Sequence, residues 1–410
     1  MAHASFEKGT RSVGRFVTAL MAGLFAWSAA HAQPAKAAGQ ATSSLEWLQR
    51  WQQASSNHAY AGTVTIVAQT GASYSARIWH ATRNGQQIDR IEMLSGPPRT
   101  IVRSGRAVTT LFSADKRARV LHDAPQLSHL FPGIDVLQAG QLRDTASQYQ
   151  ASRTGRERMA NYMADVVVFQ PRDGWRHAYR FWSEEKTGVL LKWQMLEVAG
   201  NGLVGARVLR EAGFTDVQIP AVVEFDALQA LLNNRRGYAA VEHRLQRLTL
   251  QSQGWAWRKP LPGYVVTGCY QRGSRGAGHG GPGPHRGDMA GRGAGEGPPR
   301  RGRGAGRGRG NGPGAGADRG SEMGPGAGMR QRRFAGGSAV QCLVTDGLGS
   351  VSLFIEKPPQ TGADKPADQV LEQGTVRMRS RWYDGTYRIT AVGAVPAAAL
   401  QGLLDNLHRP

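Results

Sequence analysis

Between Tyr60 and His122 the chain keeps a hydrophobic period of two, which excludes helix over that span. The runs YAGTVTIVAQ, SYSARIWHA, QQIDRIEML, RTIVRSG, AVTTLFS and RARVLH follow one another there. Gly71, Asn84-Gly85, Gly96-Pro97-Pro98, Ser104-Gly105 and Ala114-Asp115 separate them with turn chemistry. Short alternating runs at this spacing predict an antiparallel meander with one face of each strand turned inward. The pattern resumes in ADVVVFQPRD, HAYRFWSE, VLLKWQML and GARVLREAGFTDVQI, with Glu184 to Gly188 as a further turn. The intervening passage, Gln126 to Ser152, is less regular and reads as partly helical.

Ahead of the meander, Ser44 to Ala54 carries Leu45, Leu48 and Trp51 at helical steps, with Ser43 or Ser44 as N-cap. About ten antiparallel strands and a helix predict a curved, barrel-like sheet with helical cover. Val64, Ile66, Ile78, Ile91 and Leu94 are the candidates for its inner face. Two roles are open to them: lining a cavity for an acyl lipid, or packing on the helix and filling the interior.

The second half is organised around AVQCLVTDGLGSVSLFIEK, residues 339–357. Asp346-Gly347 between two runs of β-forming residues predicts a hairpin whose tight turn uses positive φ values. A second hairpin, VRMRSRWYDGTYRITAVG, turns at Asp384-Gly385, and Pro396 opens a terminal helix, AAALQGLLDNL. With the strand-like YVVTGC that follows Pro260 and Pro262, these make a small α+β unit of four or five strands. At the hairpin tip Asp346 and Gly347 read as turn formers. Leu348 has two readings, structural or docking on a partner.

Between Cys269 and Cys342 the sequence becomes Gly/Arg-rich, from about Gln271 to Gly337, and predicts a disordered insertion. Its RGRGAGRGRG core resembles an RNA-binding segment. The export signal described next and the near absence of interleaved aromatics argue against nucleic acid. Contact of its arginines with phosphates of lipopolysaccharide or of a membrane surface is the alternative to an inert insertion. A G-x-G-x-x-G match at Gly276 to Gly281 lacks a βαβ context and carries nothing.

The first residues predict the compartment. Lys8, Arg11 and Arg15 precede an apolar run from Phe16 to Trp27, and Ala30-His31-Ala32 offers a cleavage site. The run is too short for a membrane anchor, which needs about 18–20 apolar residues. The expected mature protein is exported, with no integral membrane segment after cleavage near Ala32. In an oxidising compartment the two cysteines read as one disulfide, Cys269 to Cys342, across neighbouring strands. Two unpaired thiols remain the alternative. Closing that loop would stabilise the fold by about 4 kcal/mol in the chain-entropy model. Of the formal net charge of +21, about half lies in the leader and the Gly/Arg tract. The basic remainder suits acidic protein partners or anionic headgroups.

Catalysis finds no footing in the sequence. No H-E-x-x-H, G-x-S-x-G or Walker A motif occurs, the histidines lack metal-ligand spacing, and the reading is of a binding protein without cofactor or metal.

Taken together, EWLQRWQQASSNHAYAGTVTIV, RIEMLSGPPRTIVRSG, HAYRFWSEEKTGVLLKWQML, WRKPLPGY, TDGLGSVSLFIEK and YRITAVGAVP resemble, in order and spacing, the MucB/RseB family of periplasmic sigma-factor regulators. The family's glycine-proline-proline-arginine turn falls on Gly96, Pro97, Pro98 and Arg99. The resemblance implies an α+β, mostly β fold. Its first part would be an N-terminal curved antiparallel half-barrel with helical cover, similar to the lipoprotein carrier LolA, and its second a smaller C-terminal α+β domain.

The expected division is a signal peptide (1–32), an arm (33–43), the half-barrel (44–220), a connecting segment (221–253) and the second domain (254–410), interrupted by the insertion at 271–337. The resemblance further implies the periplasmic domain of a membrane-bound anti-sigma factor of the RseA/MucA type as partner, shielded here from regulated proteolysis. Release would come from lipopolysaccharide or another acyl lipid, and a homo-oligomer is compatible with this reading. A periplasmic lipid or lipoprotein carrier is the rival. The Gly/Arg tract departs from the family pattern.

Overall fold

The computed structural model describes residues 42–124, 134, 137–198, 203, 205–272, 339–357 and 368–410. The signal peptide, nearly all of the arm, and all but the first two residues of the expected Gly/Arg insertion lie outside the described residues.

Helix α1 (Ser44–Asn57) starts at a capping box: Ser43 Oγ accepts the Glu46 N–H, and the Glu46 carboxylate accepts the Ser43 N–H. Its buried face carries Trp47, Leu48, Trp51 and Ala54, the positions a helical period brings together. The meander follows as β1 (Tyr60–Ala68), β2 (Ser73–Arg83), β3 (Gln86–Met93), β4 (Arg99–Ser104), β5 (Ala107–Phe112) and β6 (Arg117–His122). Helix α2 (Ala139–Gln148) leads into β7 (Tyr149–Met159), β8 (Tyr162–Pro171), β9 (Ala178–Glu184), β10 (Leu190–Leu196) and β11 (Val208–Gln218). Helix α3 (Phe225–Asn233) and β12 (Ala239–Arg244) complete this half.

All of these strands belong to one twelve-stranded sheet, ordered β12-β6-β5-β4-β3-β2-β1-β11-β10-β9-β8-β7. Pairing of β1 with β11 joins the two runs of strands side by side. Helices α1 and α2 pack into one face over Val64, Ile66, Ile78, Phe169, Phe181, Trp193 and Phe214. Helix α3 covers part of the other face, over Ala81, Ile88 and Val102.

Two strands of this sheet were not expected. β7 replaces the end of the passage read as partly helical, and β12 comes from the segment read as a connector. Both are edge strands, and β12 pairs parallel to β6.

The second half contributes β13 (Arg247–Leu248), β14 (Ala256–Trp257), β15 (Val265–Arg272), β16 (Ala339–Thr345), β17 (Ser350–Glu356), β18 (Gln369–Gln373), β19 (Val376–Tyr383), β20 (Tyr387–Gly393), α4 (Ala397–Asn406) and β21 (Leu407–His408). Seven of them form a sheet ordered β13-β15-β16-β17-β20-β19-β18, while β14 and β21 pair as a ribbon. Helix α4 packs Ala399, Leu400, Leu403 and Leu404 on that sheet's core. Cys269 and Cys342 face each other across β15 and β16 and form the disulfide.

The two Asp-Gly hairpins differ. Asp384 and Gly385 both take positive φ in a tight three-residue loop, Asp384 to Thr386. At the other hairpin only Gly347 does, and the loop is four residues long, Asp346 to Gly349. The Asp346 carboxylate accepts the N–H groups of Leu348 and Gly349 and so closes the loop with its side chain. That loop fits into the first half of the molecule.

Candidate functional site

The two halves meet through reciprocal insertion. From the large sheet comes the loop between β8 and β9, Asp173 to His177. Asp173 accepts the Trp175 N–H at 3.0 Å and pairs with Arg176, which fixes the loop's shape. Trp175 packs against the core of the small sheet, its ring close to Gly402 on α4, which Leu261 also approaches. From the small sheet comes the tip of the β16–β17 hairpin, whose Leu348 lies within the core beneath α1 and α2.

Arg176 and Asp346 stand between these insertions with side chains 0% and 1% exposed. Arg176 Nε lies 2.9 Å from Asp346 Oδ2, a close ion pair without the alignment of a hydrogen bond. The guanidinium also donates to the Pro262 carbonyl and lies over the Tyr264 ring at 4.9 Å. The Tyr149 hydroxyl donates to Asp346 Oδ2 at 3.1 Å, and Thr145 Oγ1 donates to the Asp346 carbonyl at 2.8 Å. Tyr264 closes the ring by donating to the Trp175 carbonyl at 2.9 Å. Apart from Arg176 Nε, which is held by charge alone, the groups named are hydrogen-bonded, as a buried polar cluster must be to persist.

Burial raises the Asp346 pKa, with Arg176 and the donors from Gly349, Leu348 and Tyr149 pulling the other way. Burial, with the neighbouring Asp346 carboxyl, pushes the Tyr149 and Tyr264 hydroxyls well above the usual tyrosine range. Both therefore act as neutral donors. A second contact lies nearby, where Arg377 of β19 bonds the Val395 carbonyl and reaches Glu197 and His177.

The Arg176–Asp346 cluster fixes one sheet against the other through the residues that link α2 and β7 to the hairpin tip. Any binding that shifts α2 or the start of β7 must also strain Thr145, Tyr149 and Asp346.

The residues singled out from the sequence fall around this joint unevenly. Val64, Ile66 and Ile78 meet in the core with Trp47 and Trp51, and Ile91 is buried opposite Ile78 on the neighbouring strand. Leu94 does not join them. It lies three residues past Ile91, hence on the opposite parity, and is 54% exposed. Gly96, Pro97 and Pro98 form an exposed turn between β3 and β4, with Gly96 at φ +73°, and Arg99 begins β4 half-buried. Leu348 is 8% exposed: the chain's own first half covers the side chain considered for docking on a partner.

Trp175, Arg176, Thr145, Tyr149 and Arg377 were not anticipated. Only Trp175 and Arg176 leave a trace in the sequence, an Asp-Gly turn followed by an aromatic and a basic residue, RDGWRH, between two strand-like runs.

Comparison with known proteins covers both halves. The family model of the MucB/RseB N-terminal domain matches residues 43–232, and that of the MucB/RseB C-terminal domain matches residues 327–408. The sigma factor AlgU regulatory protein MucB of Pseudomonas aeruginosa is 29% identical over 195 residues, 47% of this chain. The match spans 56% of that relative's length. Among solved structures, the Pseudomonas aeruginosa MucA/MucB complex aligns with a TM-score of 0.56 at 18% identity, covering 89% of this chain and 98% of that one. MucB in complex with MucA(peri) aligns with a TM-score of 0.54 at 18% identity and the same coverage. These alignments span both sheets.

Proposed function

The chain belongs to the MucB/RseB family, and from that membership we propose that it regulates a sigma factor from the periplasm by holding the periplasmic part of a membrane-bound anti-sigma factor. The observation that carries this reading is the match of both family domains in one chain, together with solved relatives described as complexes with MucA. The action is occlusion. A bound anti-sigma segment is kept from the regulated protease, and the sigma factor stays captured.

Release follows when an envelope lipid or lipopolysaccharide wedges between the large sheet and α1 and α2, displacing side chains that now fill the interior there. The binding energy of such a ligand is coupled to partner affinity only if it differs between two arrangements of the halves. The joint at Arg176 and Asp346 offers a place for that difference, because the same residues belong to the large-sheet core and to the hairpin contact. Export by the N-terminal leader accounts for the location. Among the described residues, no helix is long and apolar enough to cross a membrane.

The test is a pull-down with the periplasmic segment of the cognate anti-sigma factor, followed by cleavage with the site-one protease. Complex formation and slowed cleavage, both reversed by added lipopolysaccharide, are expected. No complex and no protection, with co-purified acyl chains instead, would favour the carrier function.

A further inference from the structure

His80, on β2, is 2% exposed. Its Nδ1 lies 2.6 Å from Asp89 Oδ1 and its Nε2 lies 2.7 Å from the Ser55 carbonyl in the last turn of α1. A carboxylate and a carbonyl only accept hydrogen bonds. Both short contacts are therefore made when both ring nitrogens carry protons, which is the imidazolium form. The groups facing it among the described residues come from every side. Asp89 stands on β3, Arg103 on β4 lies 2.7 Å from the other Asp89 oxygen, and the Tyr60 ring of β1 stacks on the imidazole at 4.5 Å. Burial disfavours the ionised Asp89, but Arg103 and His80 outweigh it and hold the carboxyl far below the usual carboxylate range. Asp89 is thus charged throughout the range in which His80 titrates.

We propose that protonated His80 is a pH-dependent pin that fastens the end of α1 to the large sheet, and that alkaline pH withdraws it. A neutral imidazole can donate from only one nitrogen, so deprotonation sets the other against an acceptor at contact distance. Thr82 Oγ1 and Gln87 hold the adjoining Ser56 from the same sheet, so the release is confined to the last turn of α1 and the core edge under Ala54. The folded protein binds a proton that the unfolded chain gives up near pH 6.5, and the pinned state weakens as pH rises above that value. This property belongs to the fold and does not depend on the regulatory function.

Histidine-selective nitrogen NMR on the mature protein, combined with hydrogen exchange by mass spectrometry from pH 5.5 to 9, tests the pin. Expected are one doubly protonated imidazole titrating above pH 6.5 and, after correction for intrinsic rate, a loss of protection in residues 52–57. That loss should approach tenfold per pH unit between about pH 6.5 and the imidazole's own midpoint. The disulfide-bridged pair β15–β16 serves as internal reference, and His80→Gln should remove the pH dependence between pH 6.5 and 9. If His80→Gln fails to fold, the wild-type titration decides alone. An imidazole signal at or below pH 6.5 for every buried histidine, or protection of residues 52–57 that does not vary with pH, overturns the proposal.

Discussion

Trp175 and Leu348 cross over: each comes from one half of the molecule and packs against the hydrophobic core of the other. Between them the Arg176–Asp346 pair is closed to solvent. Two sheets joined this way share their cores, so damage at the joint should register as lost stability of both.

Leu348→Ala is the direct measure. Truncating a well-packed leucine costs about 2–5 kcal/mol, depending on how far the site collapses. Urea unfolding of the variant should show a loss within that range, together with faster proteolysis in the β8–β9 loop. A loss under about 1 kcal/mol would mean that the hairpin tip does not dock in solution.

Gly347→Ala attacks the same contact from the backbone. Gly347 has φ +99°, and an added Cβ would lie 2.1 Å from Thr145 Oγ1. Strain at this φ and the clash are expected to cost about 1–3 kcal/mol, read by urea unfolding. Adding Thr145→Ala should recover at most part of the clash, because it also removes the hydroxyl's hydrogen bond to the Asp346 carbonyl and the backbone strain remains.

Arg176→Met removes the cation and leaves the buried Asp346 carboxylate with only neutral donors, the Tyr149 hydroxyl and the N–H groups of Leu348 and Gly349. Breaking a buried pair from one side costs about 3–5 kcal/mol, whereas replacing both partners with apolar groups is far milder. The double variant Arg176→Met with Asp346→Leu should therefore leave no unpaired buried charge, but it loses the Asp346 side-chain contacts that close the loop. A coupling energy above about 1 kcal/mol in the double-mutant cycle is the expected result.

The fold was legible wherever one face of a strand is buried. The ten runs read as strands before residue 220 all occur, since alternation such as that of Val64 and Ile66 is imposed by the core. β7 and β12 escaped because they are edge strands. β7 is exposed over most of its length and carries Arg153, Arg156, Glu157 and Arg158, while β12 is exposed at every residue. With no buried face there is no alternation to read, and charges on an edge strand serve to prevent further pairing.

The joint was illegible for a different reason. The partners of Asp346 lie about 170 to 200 residues away in sequence, at Thr145, Tyr149 and Arg176. Locally, Asp346-Gly347 looks the same as Asp384-Gly385. Tertiary contact alone makes one a tight turn and the other a buried plug.

The disulfide can be removed without touching the joint. Cys269 and Cys342 are separated by 73 residues in sequence, so Cys269→Ser with Cys342→Ser should cost about 4 kcal/mol in the chain-entropy model. Urea unfolding of the double variant against the oxidised wild type checks this. Both side chains are fully buried, so mild reductant acting on the folded protein should leave its stability unchanged until unfolding exposes the bond.

The joint also has an acid limit. His177 lies between the two sheets near Arg377, and burial, then Arg377, lower its pKa to about 4 against a weaker pull from Glu197. The folded state therefore keeps His177 neutral at pH values where the unfolded chain, with an ordinary value near 6.5, has already taken up a proton. More protons bound by the unfolded chain means that stability falls as pH drops. The loss should begin near pH 6.5, continue to about pH 4, and reach up to about 3 kcal/mol. His177→Asn should flatten the slope in that window while leaving stability at pH 7.5 within about 1 kcal/mol of wild type. Urea midpoints measured at half-unit intervals from pH 4 to 7.5 in both proteins check it, and an unaltered slope in the variant would assign the acid sensitivity to other groups. The sign is opposite to that expected of His80, where alkaline pH is the destabilising direction. A chain with both histidines should be held together best near the ordinary histidine value, with the joint loosening on the acid side and the end of α1 on the alkaline side.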